Sequence, residues 1–171
     1  MDQDAYHRTY REINDRYCPF ERSILNDKCS CRESKRFYLA ERVGVHCESD
    51  QGQAQCMELL ELLRHHARFA LKSNDRNATL PHGQAMRLQV GGVRGLFSEI
   101  YPEEPVPEPV GDIFTLVSSA IKKFNSLDEL PFQPIIQQVA AYRGASDQNP
   151  INNVTVQDVG RPATIDPGLP L

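Results

Sequence analysis

The chain has 171 residues, 40% hydrophobic and 25% charged, with a formal net charge of −4. This is ordinary globular usage, enough for one modest domain with an appendage. The acidic balance argues against nucleic acid as a bulk electrostatic partner, and no apolar run is long enough to span a membrane.

Taken in chain order, MDQDAYHRTYREIND is polar and charged, with neither a basic n-region nor an apolar h-region. A cytoplasmic location is the expectation. Residues 3–16 read as a short helix with Tyr6, Tyr10 and Ile13 on one side, ended at Cys18-Pro19. Residues 18–36 read as mostly irregular, and FYLAERVGVHC is compatible with helix or strand. A long helix is predicted from Ser49 or Asp50, either of which caps it, to about Leu71. Met57, Leu60, Leu63, Ala67 and Ala70 recur there at helical spacing, and Leu59, Leu62, Phe69 and Leu71 widen the stripe. Asn74, Asp75 and Asn77 mark a loop. In LPHGQAMRLQVGGVRGL, Gly91, Gly92 and Gly95 argue against helix and suggest a bulged strand.

Residues 101–112, YPEEPVPEPVGD, read as an acidic, semi-rigid linker. Residues 101–171 hold ten of the twelve prolines, four Lys+Arg and nine Asp+Glu. Asp112 is placed to cap a helix over IFTLVSSAIKKF, and PFQPIIQQVAAYRG reads as a second helix closed by Gly144. The fold class expected is mainly α: a helical unit over 1–100 with an irregular Cys-rich loop, a Pro-rich acidic linker over 101–111, a helical appendage over 112–143, and an extended tail over 144–171. In the tail, VTVQDV alternates like a strand. Ile151, Val154, Val156 and Leu169 are its expected anchors on a partner subunit, with docking spread over 112–171. A frayed tail is the competing expectation.

All five cysteines lie within residues 18–56: Cys18, Cys29, Cys31, Cys47 and Cys56. An odd count in a chain expected to be cytoplasmic argues against a disulfide framework. Four thiolates on one metal centre is the economical reading. On an extended segment, residues two apart have alpha carbons roughly 6.5 Å apart. The sulfurs of tetrahedral zinc sit only about 3.8 Å apart. Cys29-Ser30-Cys31 must therefore turn to chelate one zinc, whereas an iron–sulfur cluster accepts a more open pair. The spacing tilts the expectation to an iron–sulfur cluster, with structural zinc as the alternative. A redox pair at Cys29 and Cys31 and inert buried thiols are the other readings.

One of Cys29 and Cys31 is spare in a four-ligand site. The expected set is Cys18, Cys29, Cys47 and Cys56, with Cys31 as the substitute and His46 as a replacement ligand or supporting donor. Phe20, Ile24, Leu25, Phe37, Tyr38 and Leu39 are candidates to shield the site. Arg22, Lys28, Arg32, Lys35, Arg36 and Arg42 are candidates to offset its charge.

Other motifs carry less. Neighbouring His65 and His66 diverge by about 100° on a helix, which suits solvated histidines better than a shared metal. His82 reads as a turn residue. QVGGVRGL lacks the Gly-Lys-Ser/Thr of a phosphate loop. No catalytic triad or carboxylate pair stands out, so the chain is expected not to be an enzyme by itself.

The run YCPF…CSC…HC…C followed by ELLRHHARFAL and LPHGQAMRLQVGGVRGL, about residues 17–96, resembles small bacterial cysteine-motif proteins. The resemblance implies a bacterial cluster-binding or accessory role and supplies no catalytic residue. The cysteine cluster, the small core and a tail that cannot fold alone lead to the fuller expectation, an iron–sulfur accessory or electron-transfer subunit of a larger bacterial complex. A zinc-stapled adaptor without a redox role is the alternative.

Overall fold

The computed structural model describes residues 2–144; the four expected tail anchors, Ile151, Val154, Val156 and Leu169, lie outside that range. Helices dominate, with one two-stranded sheet. α1 spans Gln3–Ile13, with the Asp2 carboxylate accepting from the Asp4 amide at its start. It stops at Asn14 rather than continuing to residue 16. Tyr6 packs inward as expected, whereas Ile13 is 56% exposed.

The segment expected to be irregular holds a short helix, α2 at Glu21–Leu25. It leads into an antiparallel hairpin of β1, Ser34–Leu39, and β2, Arg42–Cys47. The ambiguity over FYLAERVGVHC therefore resolves to strand. Ala40-Glu41 makes the turn, with Ala40 in the left-handed region at φ 55°.

α3 runs Asp50–His66, capped by the Ser49 hydroxyl, which accepts from the Gly52 amide at 2.9 Å. Its buried stripe is Gly52, Cys56, Leu59 and Leu63, continued by Ala67 and Leu71 in the turns beyond. Leu59, Leu63, Ala67 and Leu71 of the expected stripe are buried, while Leu60 and Ala70 are half-buried. Met57 is 44% exposed and Phe69 75% exposed, while Leu63 is fully buried as predicted.

The glycine segment is helix, not bulged strand. α4, His82–Met86, passes through a π-helical turn at Arg87–Gly91 into α5, Gly92–Ile100. The glycines serve packing. A Cβ on Gly91 would lie 2.7 Å from Val139 Cα, and one on Gly95 would lie 2.9 Å from Ile135 Cα. Both contacts are with backbone of α7, Phe132–Ala141, so only glycine permits the approach.

α6 spans Ile113–Phe124 after Asp112, but the Asp112 carboxylate does not cap the helix amides as expected; it is taken by Arg32 and the Thr115 hydroxyl. α7 ends at Ala141, short of the expected Gly144. Ile113, Leu116, Val117, Ala120, Ile135 and Val139 join Phe20, Val45, Leu59 and Leu63 in one core. The described segments before and after the Pro-rich acidic stretch thus share one core, while Phe114, Ile121, Phe124 and Ile136 of α6 and α7 are half-buried. No described helix is long and apolar enough to cross a membrane.

Candidate metal centre

Four of the five cysteines line one hollow, and they arrive on four different segments. Cys18 follows α1 and donates its amide to the Val45 carbonyl at 3.0 Å. Cys31 precedes β1, and its carbonyl accepts from both the amide and the hydroxyl of Ser34. Cys47 closes β2, its amide held by the Arg16 carbonyl at 2.8 Å and its thiol 3.3 Å from the Ser49 carbonyl. Cys56 sits in the second turn of α3 on the inward stripe. Pro19, Phe20, Ile113 and Phe114 supply most of the remaining wall, with Glu33, Ser34 and Gly52. Gly52 matters because a Cβ there would meet the Phe114 ring at 3.0 Å.

Cys29 is elsewhere. It is buried, its amide donates to the Ser23 carbonyl at 3.3 Å, and its backbone bridges in parallel to Val110. The charged and polar groups that act on its thiol are Ser23 and Arg94, with no cysteine among them. The Cys29-Ser30-Cys31 run thus sends one thiol toward Ser23 and the other into the hollow. The expectation ranked Cys29 above Cys31; the structure places Cys31 with the other three.

His46 alternates away from Cys47 along β2. Its Nδ1 lies 2.8 Å from Asn14 Oδ1, and it takes no part in the lining. None of the six basic residues considered as charge compensation lines the hollow either. Lys28 pairs with Glu108, Arg32 with Asp112, Lys35 with Glu48 and Arg36 with Asp27. Of the expected shielding residues, Phe20 lines the hollow, while Tyr38 faces solvent.

Burial dominates the acid–base behaviour of the thiols. It pushes Cys18 up to about 12, against an opposing amide hydrogen bond from Phe20. Cys31 is raised by burial, opposed by the amides of Glu33 and Phe114. Burial raises Cys56 furthest, and Cys18, Cys31 and Cys47 add to the effect as neighbours. Cys29 is pushed up to about 11 by burial, partly relieved by Ser23 and Arg94. Neutral buried thiols of this kind are poor nucleophiles, which weighs against a reactive-thiol enzyme. They still become ligands when a metal displaces their protons.

The hollow has about 10 Å³ of free space, room for one water molecule. Among the described residues, no group of three or more His, Cys, Asp or Glu side chains stands placed to hold a single metal ion. Together these describe thiols that surround a space without converging on a point.

Phe114 and Ile113 had no local signal as site residues. They lie more than fifty positions beyond the last cysteine and reach the hollow because α6 begins there. Comparison of the chain with protein families, with curated proteins and with solved structures found no match.

Proposed function

We propose that Cys18, Cys31, Cys47 and Cys56 hold one iron–sulfur cluster, and that the protein is a non-catalytic accessory or electron-transfer subunit of a larger bacterial complex. The observation that carries the reading is the meeting of four thiols from four separate segments at one hollow. The resemblance of the cysteine run to small bacterial cysteine-motif proteins is what favours a cluster over zinc. The hollow's free space of about 10 Å³ is that of one water molecule, so its walls must spread to admit a cluster, whereas a single zinc asks only that the sulfurs draw in to about 2.3 Å.

The chain's own contribution is a dry pocket and directed N–H groups. Phe20, Ile113 and Phe114 keep water from the thiols. The amides of Phe20, Glu33 and Phe114 favour the thiolate form that ligation needs. Phe114 stands in the first turn of α6, where the helix dipole adds to the effect. When bound, the cluster supplies one-electron transfer. A cytoplasmic location belongs to the same reading, since the cytosol keeps thiols reduced. So does docking on a partner subunit through 112–171, to which the half-buried Ile121, Phe124 and Ile136 would contribute.

Anaerobic purification followed by iron, acid-labile sulfide and zinc analysis tests the proposal. Iron and sulfide in equal amounts are the expected result. Stoichiometric zinc without iron overturns the cluster in favour of a zinc-stapled adaptor, and neither metal overturns both.

A further inference from the structure

A second, larger cavity lies on the other side of the Cys18-Pro19 and Cys56-Met57 backbone. It is an open cleft of about 570 Å³ between α3, the 73–80 loop and Tyr17-Pro19, within the size range of small-molecule sites. Its floor is apolar, formed chiefly by Tyr17, Met57, Leu60 and Leu80. Tyr17 is 42% exposed, and its hydroxyl lies 3.9 Å from the Met57 sulfur.

Its rim carries two guanidinium groups and one carboxylate, a net positive charge. Arg64 donates to the carbonyls of Asp75 and Ala78, which anchors the loop but neutralises nothing. The Arg76 guanidinium lies 2.8 Å from His65 Nδ1, a contact that brings no negative charge to it. Neither arginine forms an ion pair among the described residues. Glu61 is the one carboxylate on the rim, set against the two guanidinium groups. An apolar floor beneath two unpaired arginines is complementary to a molecule with an apolar body and one anionic end.

We infer that this cleft binds a small amphipathic anion, an alkyl or aryl carboxylate, with its apolar body on Met57 and Leu60 and its carboxylate at Arg76 and Arg64. The inference does not depend on what the cysteines hold.

Amide-resolved NMR titration of the full chain with octanoate, and in parallel with octan-1-ol, tests it. Octanoate is expected to give saturable one-site shifts at Tyr17, Met57, Leu60, Arg76 and Leu80. Octan-1-ol should bind at least about tenfold more weakly, the worth of one charge-assisted contact. Arg76→Gln, an exposed loop change, should weaken octanoate by a similar factor and leave octan-1-ol unaffected. Met57→Asp should weaken both. Equal affinity for acid and alcohol, unsaturable shifts scattered over the surface, or an Arg76→Gln protein that binds octanoate as well as the parent would each overturn the inference. The thermal melt of each variant separates loss of binding from loss of fold.

Discussion

The cysteine hollow and the seam between α5 and α7 hold the chain together by opposite means. At the seam, Gly91 in the π-helical turn and Gly95 in α5 lack side chains, so that backbone meets backbone. At the hollow, burial raises the Cys18, Cys31 and Cys56 thiols, and with Cys47 they surround a space they do not fill. The seam's stability is fixed by shape. The hollow's depends on what occupies it and on pH. One chain thus carries an unconditional contact and a conditional one, joined through Leu63, which packs against Gly92.

The largest effect expected comes from removing one thiol. Cys31→Ser should abolish iron retention, while Cys29→Ser, outside the hollow, should leave iron per chain and visible absorption unchanged. The reverse pattern would restore the ligand set favoured by spacing alone. The pH response of the two forms should also differ in sign. In the metal-free protein, burial lifts Cys18 from 9.0 to about 12. The stability this contributes is complete below pH 9.0 and lost as pH rises toward 12. In the loaded protein the thiols must be deprotonated, so protons compete with metal and iron retention should fall as pH is lowered. Iron assays and urea denaturation across pH, with and without metal, check both slopes.

At the seam the expected cost is smaller and independent of pH. Gly95→Val puts a Cβ 2.9 Å from Ile135 Cα and 3.1 Å from its carbonyl oxygen. Backbone cannot rotate aside as a side chain can, so the loss should reach about 3 kcal/mol. Leu63→Ala, fully buried beside Gly92, should cost about 2–5 kcal/mol. Leu60→Ala, in the wall of the open cleft, should cost less. If Gly95→Val proved neutral, or its cost followed pH, the contrast between seam and hollow would fail.

The two regions also differ in how far the sequence reveals them. Ser49 capping α3 and the inward turn of Leu63 follow from neighbours a few residues away, and both are legible; Asp112 marks the start of α6 but is drawn off as a cap by Arg32, eighty residues earlier. The crowding of cysteines into 18–56 pointed to a shared site. The choice between Cys29 and Cys31 did not follow, because it depends on Val110 taking the backbone edge beside Cys29. The glycines of QVGGVRGL looked like helix breakers because the helix that requires them, α7, lies some forty residues on. The hairpin was ambiguous because its turn is Ala40-Glu41, without the Asn-Gly pair that announces such turns. Short-range patterns survive translation into structure here, and pairings set by distant chain do not.

The smallest predicted effect asks what keeps Cys31 facing the hollow. Its segment is joined to the start of α6 in two ways. Backbone bonds run from the Ser30 amide to the Val110 carbonyl at 3.0 Å and from the Ile113 amide to the Ser30 carbonyl at 2.9 Å. An ion pair joins Arg32 to Asp112 at 2.6 Å, and Thr115 donates to the same carboxylate at 2.7 Å. Burial alone would raise Asp112, but the hydrogen bonds from Thr115 and Arg32 outweigh it and hold the carboxyl below 3.8. The pair therefore stabilises the fold above pH 3.8, and its contribution is lost as pH falls through the lower folded value. The Arg32 side chain is 59% exposed, so solvent screens the interaction. Arg32→Gln should cost at most about 1 kcal/mol at neutral pH, less in high salt, and nothing once Asp112 is protonated. Iron content should stay at the parent level, because the backbone bonds remain. Denaturation at two ionic strengths, read beside iron per chain, decides the matter. A variant that loses iron as Cys31→Ser does would mean that the ion pair, not the main chain, holds the ligand in place.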